Sequence, residues 1–234
     1  MNYLLLICSD GVSTPEMTAT MQEHTPKWVD EMDARKVRLI GNGLQEPATA
    51  KTVRVRDGET LVSDGPFADT KEFIGGLDII DAENLDEAIA VAAKHPVSWF
   101  HAIEVRPFTP GLEVPQDWDY ADMRYLLQMF DSDEPASPTE EAEVIRDRDP
   151  WRDEANAKGA LVVAHGLEHP SNATTVRVRD GAVLLTDGPF AETKEFLAGV
   201  AVLNSRSEQE AIELAAAFPL ARFHMVEVRP FWEG

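Results

Sequence analysis

The sequence predicts an α+β fold made from two copies of one module, and three observations predict it. The first is an internal duplication. TVRVRDG at Thr52 to Gly58 returns at Thr175 to Gly181, DGPFADTKEF at Asp64 to Phe73 returns as DGPFAETKEF at Asp187 to Phe196, and FHAIEVRPF at Phe100 to Phe108 returns as FHMVEVRPF at Phe223 to Phe231. A single offset of 123 residues aligns all three blocks, and more than half of the positions between Thr52 and Phe108 are identical to their counterparts. The second is the alternation, within each copy, of short apolar runs with helix-forming segments. The third is a strand-turn-strand signal in the middle of each copy. The copies span residues 1–110 and 123–234, joined by a Pro-rich and acidic connector at 111–122.

Each element follows from local chemistry. Tyr3 to Cys8 is a continuous apolar run, the pattern of a central strand with both faces covered. Thr14-Pro15-Glu16 and Ser137-Pro138-Thr139-Glu140 start helices, with a hydroxyl cap, proline in the first turn and an acid suited to the dipole. Each of these helices then meets Pro26 or Pro150, which predicts a kink, or a restart capped by Thr25 or Asp149. Trp28 and Trp151, just beyond, are expected to anchor the segment to the sheet. Val37 to Leu44 reads as a strand, and Thr52 to Ser63 as a hairpin turning at Asp57-Gly58. Ile74 to Asp81 is a further strand, Leu85 to Lys94 a helix stopped by Pro96, and His101 to Arg106 the last strand. The order is the ferredoxin-like, split β-α-β arrangement with an inserted hairpin. Four strands with two helices on one face leave the other face bare, so the two copies are expected to pack those faces together as an intramolecular pseudo-dimer.

The repeated TVRVRDG…DGPFAETKE…EVRPF blocks resemble the DGPF branch of the YCII-related proteins, over essentially the whole chain and once per half. That resemblance implies a dimeric α+β barrel, here from one chain, with a small-molecule pocket between its sheets. It also implies an acid–base dyad of a first-helix His and an Asp before the second-helix proline. Some DGPF proteins accompany extracytoplasmic-function sigma factors, which implies a regulatory setting as the alternative. Here the position before that proline is His95 in copy one and Phe218 in copy two, and His24 lies on the first helix of copy one alone.

Composition bounds the rest. With 42 acidic against 21 basic residues, the formal charge of −21 argues against nucleic acid and anionic membranes as partners. One cysteine, no signal-peptide pattern and no long apolar stretch point to a cytoplasmic protein. No cysteine cluster or His/carboxylate spacing calls for a metal, and Gly41-Asn42-Gly43 lacks the third glycine of a nucleotide loop, so no cofactor is expected. A further self-association of the whole chain stays open.

The chemistry therefore rests on a few side chains. His24 and His95 are a candidate proton-transfer pair, or a helix-surface and a helix-end residue. Asp64 and Lys71, with Asp187 and Lys194, are candidate acid and base groups, although turn formation accounts for the DGPF residues equally well. Strand alternation places Glu104 and Arg106, and likewise Glu227 and Arg229, on one face of the last strand. There they pair with each other, with the other half, or with an acidic ligand. His101 and His224 fall on the opposite, apolar face. If the protein is an enzyme, these residues suit a cofactor-free lyase or isomerase; the alternative is a non-catalytic interaction module.

Overall fold

The computed structural model describes residues 1–67, 73–115, 119–134, 136–191 and 194–232. The first repeat runs β1 (Asn2–Ser9), α1 (Pro15–Ala34), β2 (Arg38–Gly43), β3 (Lys51–Arg56), β4 (Glu59–Asp64), β5 (Phe73–Asp81), α2 (Leu85–Lys94) and β6 (Ala102–Pro107). The second repeats it as β7 (Tyr125–Ser132), α3 (Pro138–Ala157), β8 (Leu161–Gly166), β9 (Thr174–Arg179), β10 (Ala182–Asp187), β11 (Glu195–Leu203), α4 (Glu208–Ala217) and β12 (Met225–Pro230). No described helix is long and apolar enough to cross a membrane.

Sequence repeats and compact units do not coincide. Each sheet has six strands rather than the four expected, in the orders β10-β9-β6-β1-β5-β2 and β4-β3-β12-β7-β11-β8. The hairpin of each repeat is thus a member of the other repeat's sheet. The first unit comprises β1, α1, β2, β5, α2 and β6 with β9 and β10; the second comprises β7, α3, β8, β11, α4 and β12 with β3 and β4. The exchange is written in antiparallel pairs, Glu104 opposite Thr175 in the first unit and Glu227 opposite Thr52 in the second.

The arginine that ends each TVRVR motif secures the exchanged hairpin. Arg56 donates to the carbonyls of Ala221, Arg222, Phe223 and His224 at 2.9–3.2 Å. Arg179 does the same for Ser98, Trp99, Phe100 and His101. Those carbonyls end a short 3₁₀ turn and have no helical donors of their own, so one guanidinium supplies what the chain cannot.

Within the first unit, α1 and α2 cover one sheet face. Tyr3, Leu5, Ile80, Ile103, Val105 and Val176 pack there against Trp28, Met32, Ala88, Val91 and Ala92. The second unit builds the same layer from Leu127, Trp151, Leu203, Leu214, Phe218, Val226 and Val53. The helix starts are as the sequence predicts, with Thr14 accepting from Met17 N–H and Ser137 forming a capping box with Glu140. The internal prolines start no new helix. Both α1 and α3 run unbroken for 20 residues through Pro26 and Pro150. Loss of one N–H is offset just beyond, where Trp28 Nε1 donates to Val91 carbonyl at 3.2 Å and Trp151 Nε1 to Leu214 carbonyl at 2.9 Å. The tryptophans therefore tie helix to helix rather than helix to sheet. The last strand begins at Ala102, one residue later than expected, because His101 N–H still bonds Val97 carbonyl in the preceding turn.

Candidate functional site

The charged pairs of the last strands lie on the sheet face away from the helices, and they are buried. Arg106 Nε donates to Glu104 Oε1 at 2.8 Å, and Glu104 Oε2 accepts the main-chain N–H of Phe190 at 3.0 Å. In the second unit Glu227 takes Arg229 at 3.4 Å, Gln128 Nε2 at 3.1 Å and the N–H of Phe67 at 3.2 Å. Burial raises the Glu227 carboxyl above its ordinary range while Arg229 pulls it back. In both units the buried glutamate thus clasps the phenylalanine of the DGPF loop that arrives with the exchanged hairpin. Neighbours differ: Phe67 stacks on Phe130 at 4.3 Å between ring centres, whereas Phe190 lies under the Arg177 guanidinium at 5.3 Å. Cys8 shares the first unit's face, where burial drives its thiol pKa well up and disfavours the thiolate.

The DGPF carboxylates are surface groups. Asp64 is exposed and bonds Lys51 Nζ at 2.7 Å, which holds its carboxyl below the usual range. Asp187 and Lys194 are exposed, and Lys71 lies outside the described residues.

The helix-covered layer of the first unit holds a second charged group. Arg38 on the edge strand β2 and Asp78 on β5 face the helices, both buried. Arg38 Nε donates to Asp78 Oδ1 at 2.6 Å, Nη2 to the Gly41 carbonyl at 2.6 Å, and Nη1 reaches Asp33 at 3.4 Å. Burial pushes the Asp78 carboxyl up to about 6 against the pull of Arg38. Gly41 makes this geometry possible, since a Cβ there would stand 1.9 Å from Asp78 Oδ1.

His95 closes α2 and is buried, its Nδ1 accepting from Val97 N–H at 3.2 Å. It packs edge-on to Trp28 with ring centres 4.4 Å apart. Burial, then the Arg38 charge, lowers its pKa to about 3, so the ring is neutral and contributes no imidazolium at the helix end. His24, one turn before Trp28 on α1, is 40% exposed and meets Trp99 edge-on at 5.2 Å. The two histidines thus pack on separate tryptophans, His95 on Trp28 of α1 and His24 on Trp99 in the turn after α2.

The second unit has the same layer without the buried ion pair, and there the half-buried Arg152 of α3 donates to the Ala164 carbonyl at 3.3 Å, the counterpart of the Gly41 carbonyl that Arg38 bonds. At the positions of Arg38, Gly41, Asp78 and His95 stand Leu161, Ala164, Ala201 and Phe218, and Phe218 meets Trp151 edge-on at 4.9 Å. His24 and Trp99 correspond to Asp147 and Arg222, which form an ion pair at 2.6 Å. Arg38 and Asp78 were missed as candidates because each reads as one charge inside an apolar strand. The signal that could have found them is the comparison of repeats, which turns both to aliphatic residues together.

One further His–carboxylate contact recurs, His101 with Asp10 at 3.4 Å and His224 with Asp131 at 3.1 Å. Among the described residues no three His, Cys, Asp or Glu side chains gather as a metal centre requires.

Comparison with known proteins agrees with the duplication. The YCII-related domain matches the chain twice, over residues 1–110 and 123–233. An uncharacterised protein of Rhizobium meliloti (strain 1021) is 53% identical over 99 residues, which are 39% of this chain and 77% of that protein. With both repeats matched along nearly their whole length, the chain belongs to the YCII-related family as a tandem pair of its domains.

Proposed function

We propose that the protein binds and transforms a small molecule by cofactor-free acid–base chemistry, such as elimination or isomerisation, in the first unit. The observation that carries this reading is the contrast just described. A buried Arg–Asp pair and a neutral buried histidine are costly to fold around, and the sister layer does without them. His24 is the group a ligand meets from solvent, and the partly exposed Trp99 beside it supplies an aromatic wall suited to a flat substrate. Asp78, with its carboxyl near 6, has the proton affinity a general acid or base needs at neutral pH. Glu104 and Glu227 are already committed to holding the DGPF loops, so the ligand role considered for the last strands is secondary here.

Thermal-shift titration with small aromatic and carboxylic compounds tests the reading. A compound that stabilises the wild type should lose its effect in His24→Ala and Asp78→Asn; equal shifts in all three proteins contradict the assignment. The second reading, a non-catalytic module for a basic protein surface, draws on the net charge of −21. A stoichiometric basic protein retained on purification from the native source, with no small-molecule hit, favours it.

A further inference from the structure

We infer that β10 is a self-association edge, on which a second copy of this chain adds its own β10 antiparallel across a twofold axis. β10 ends its sheet, and all six of its residues are exposed. Val183, Leu184 and Leu185 are 49%, 49% and 52% accessible. No charge occurs from Gly181 to Thr186. Edges of native sheets are ordinarily blunted by charges, prolines or bulges; β10 has no proline or bulge, and its one charge is its last residue, Asp187.

The backbone fixes what can pair with it. Asp180 and Gly181 both have positive φ, 51° and 77°, as a two-residue hairpin turn requires, and Arg179 faces Ala182 as the closing pair. In such a hairpin the closing pair and every second residue bond inward. Ala182, Leu184 and Thr186 therefore turn their N–H and C=O to β9, and Val183 and Leu185 turn theirs outward. A twofold axis beside Leu184 lets Val183 exchange both backbone bonds with the Leu185 of a second copy, and Leu185 with its Val183. Leu184 then meets its own symmetry mate as a non-hydrogen-bonded pair, where opposing side chains are closest. This register sets Val183 against Leu185 and Leu184 against its mate, with Ala182 facing Thr186, and opposes no like charges.

Charge points to the same edge. Residues 174–187 carry two arginines and two aspartates, a neutral patch on a chain of net charge −21, so here two acidic copies can approach. The equivalent β4 is guarded: Glu59 and Thr60 stand where β10 has Ala182 and Val183, and Lys51 pairs with Asp64 across the hairpin. A twofold contact uses the same edge of both copies, so pairing through β10 closes as a dimer instead of running on as a fibre.

Sedimentation equilibrium of the full chain at micromolar concentrations, at low and high salt, tests the inference. The expected result is a dimer that salt strengthens by screening the overall repulsion. Leu184→Lys sets two like charges directly opposite and should weaken the dimer at least tenfold, with an unchanged melting curve because the side chain is half exposed. Leu61→Lys, the same change on β4, should leave the dimer intact. Should Leu184→Lys fail to fold, Leu185→Glu replaces it with the same expectation. A wild type that stays monomeric, or a dimer unaffected by the β10 substitution or broken by Leu61→Lys, overturns the inference.

Discussion

The first and second units share strand order, helix caps, the tryptophan tie and the arginine clasp, and their sharpest difference lies in one buried layer. Between helices and sheet the first holds Arg38, Gly41, Asp78 and His95, and the second holds Leu161, Ala164, Ala201 and Phe218. The difference is concerted. Gly41 leaves space for the Asp78 carboxylate, and where that carboxylate is absent a methyl occupies the glycine position. The pair of units is therefore an internal control: the architecture is met without a buried ion pair, with the half-buried Arg152 serving the Ala164 carbonyl, and the Arg38–Asp78 pair is an addition to it.

Substitutions that break this set halfway should have the largest effect. Asp78→Ala or Arg38→Leu alone leaves a buried charge without its partner and should cost about 3–5 kcal/mol of unfolding free energy, read by urea titration. A loss below about 1 kcal/mol would mean that solvent reaches the pair. Gly41→Ala alone drives a methyl into the carboxylate and should cost about 1–3 kcal/mol. Placed in Asp78→Ala, the same change should cost much less, and additive losses would separate the two positions.

Acid sensitivity sharpens the contrast at the level of single protons. His95 has a folded pKa of about 3, below its unfolded value, so its contribution is present above about pH 6.5 and is lost as pH falls. Asp78 has a folded pKa of about 6, above its unfolded value, so its contribution is full below about pH 4 and is lost as pH rises through 6. Between pH 4 and 6 the slopes oppose. His95→Phe should leave a stability that declines as pH rises over that window, and Asp78→Asn one that declines as pH falls. Parallel profiles for the two variants would refute the assignment. The smallest effect belongs to Asp64→Ala, which breaks an exposed ion pair and should leave the denaturation midpoint unchanged.

Much of the fold was legible because local chemistry decides it. Caps at Thr14 and Ser137, the Asp57-Gly58 turn and the helix Leu85–Lys94 need only short stretches of chain. The exchange of hairpins was not legible, since a strand such as Lys51–Arg56 carries nothing in its own pattern to say whose edge it joins. Its partner is chosen by distant groups, Glu227 for the Phe67 N–H and the 221–224 carbonyls for Arg56. Likewise His24 and His95 could be picked out by residue type, but Arg38 and Asp78 only become a site when β2 and β5 lie side by side.

Replacing the whole charged set by its counterparts, in the variant Arg38→Leu/Gly41→Ala/Asp78→Ala/His95→Phe, tests the central claim most directly. Its unfolding free energy should equal the wild-type value or exceed it by about 1–4 kcal/mol, as replacement of a buried ion pair by well-packed apolar groups commonly does. A loss of about 3 kcal/mol or more would show that the first unit needs these charges to fold, and would contradict the claim that they are held for function.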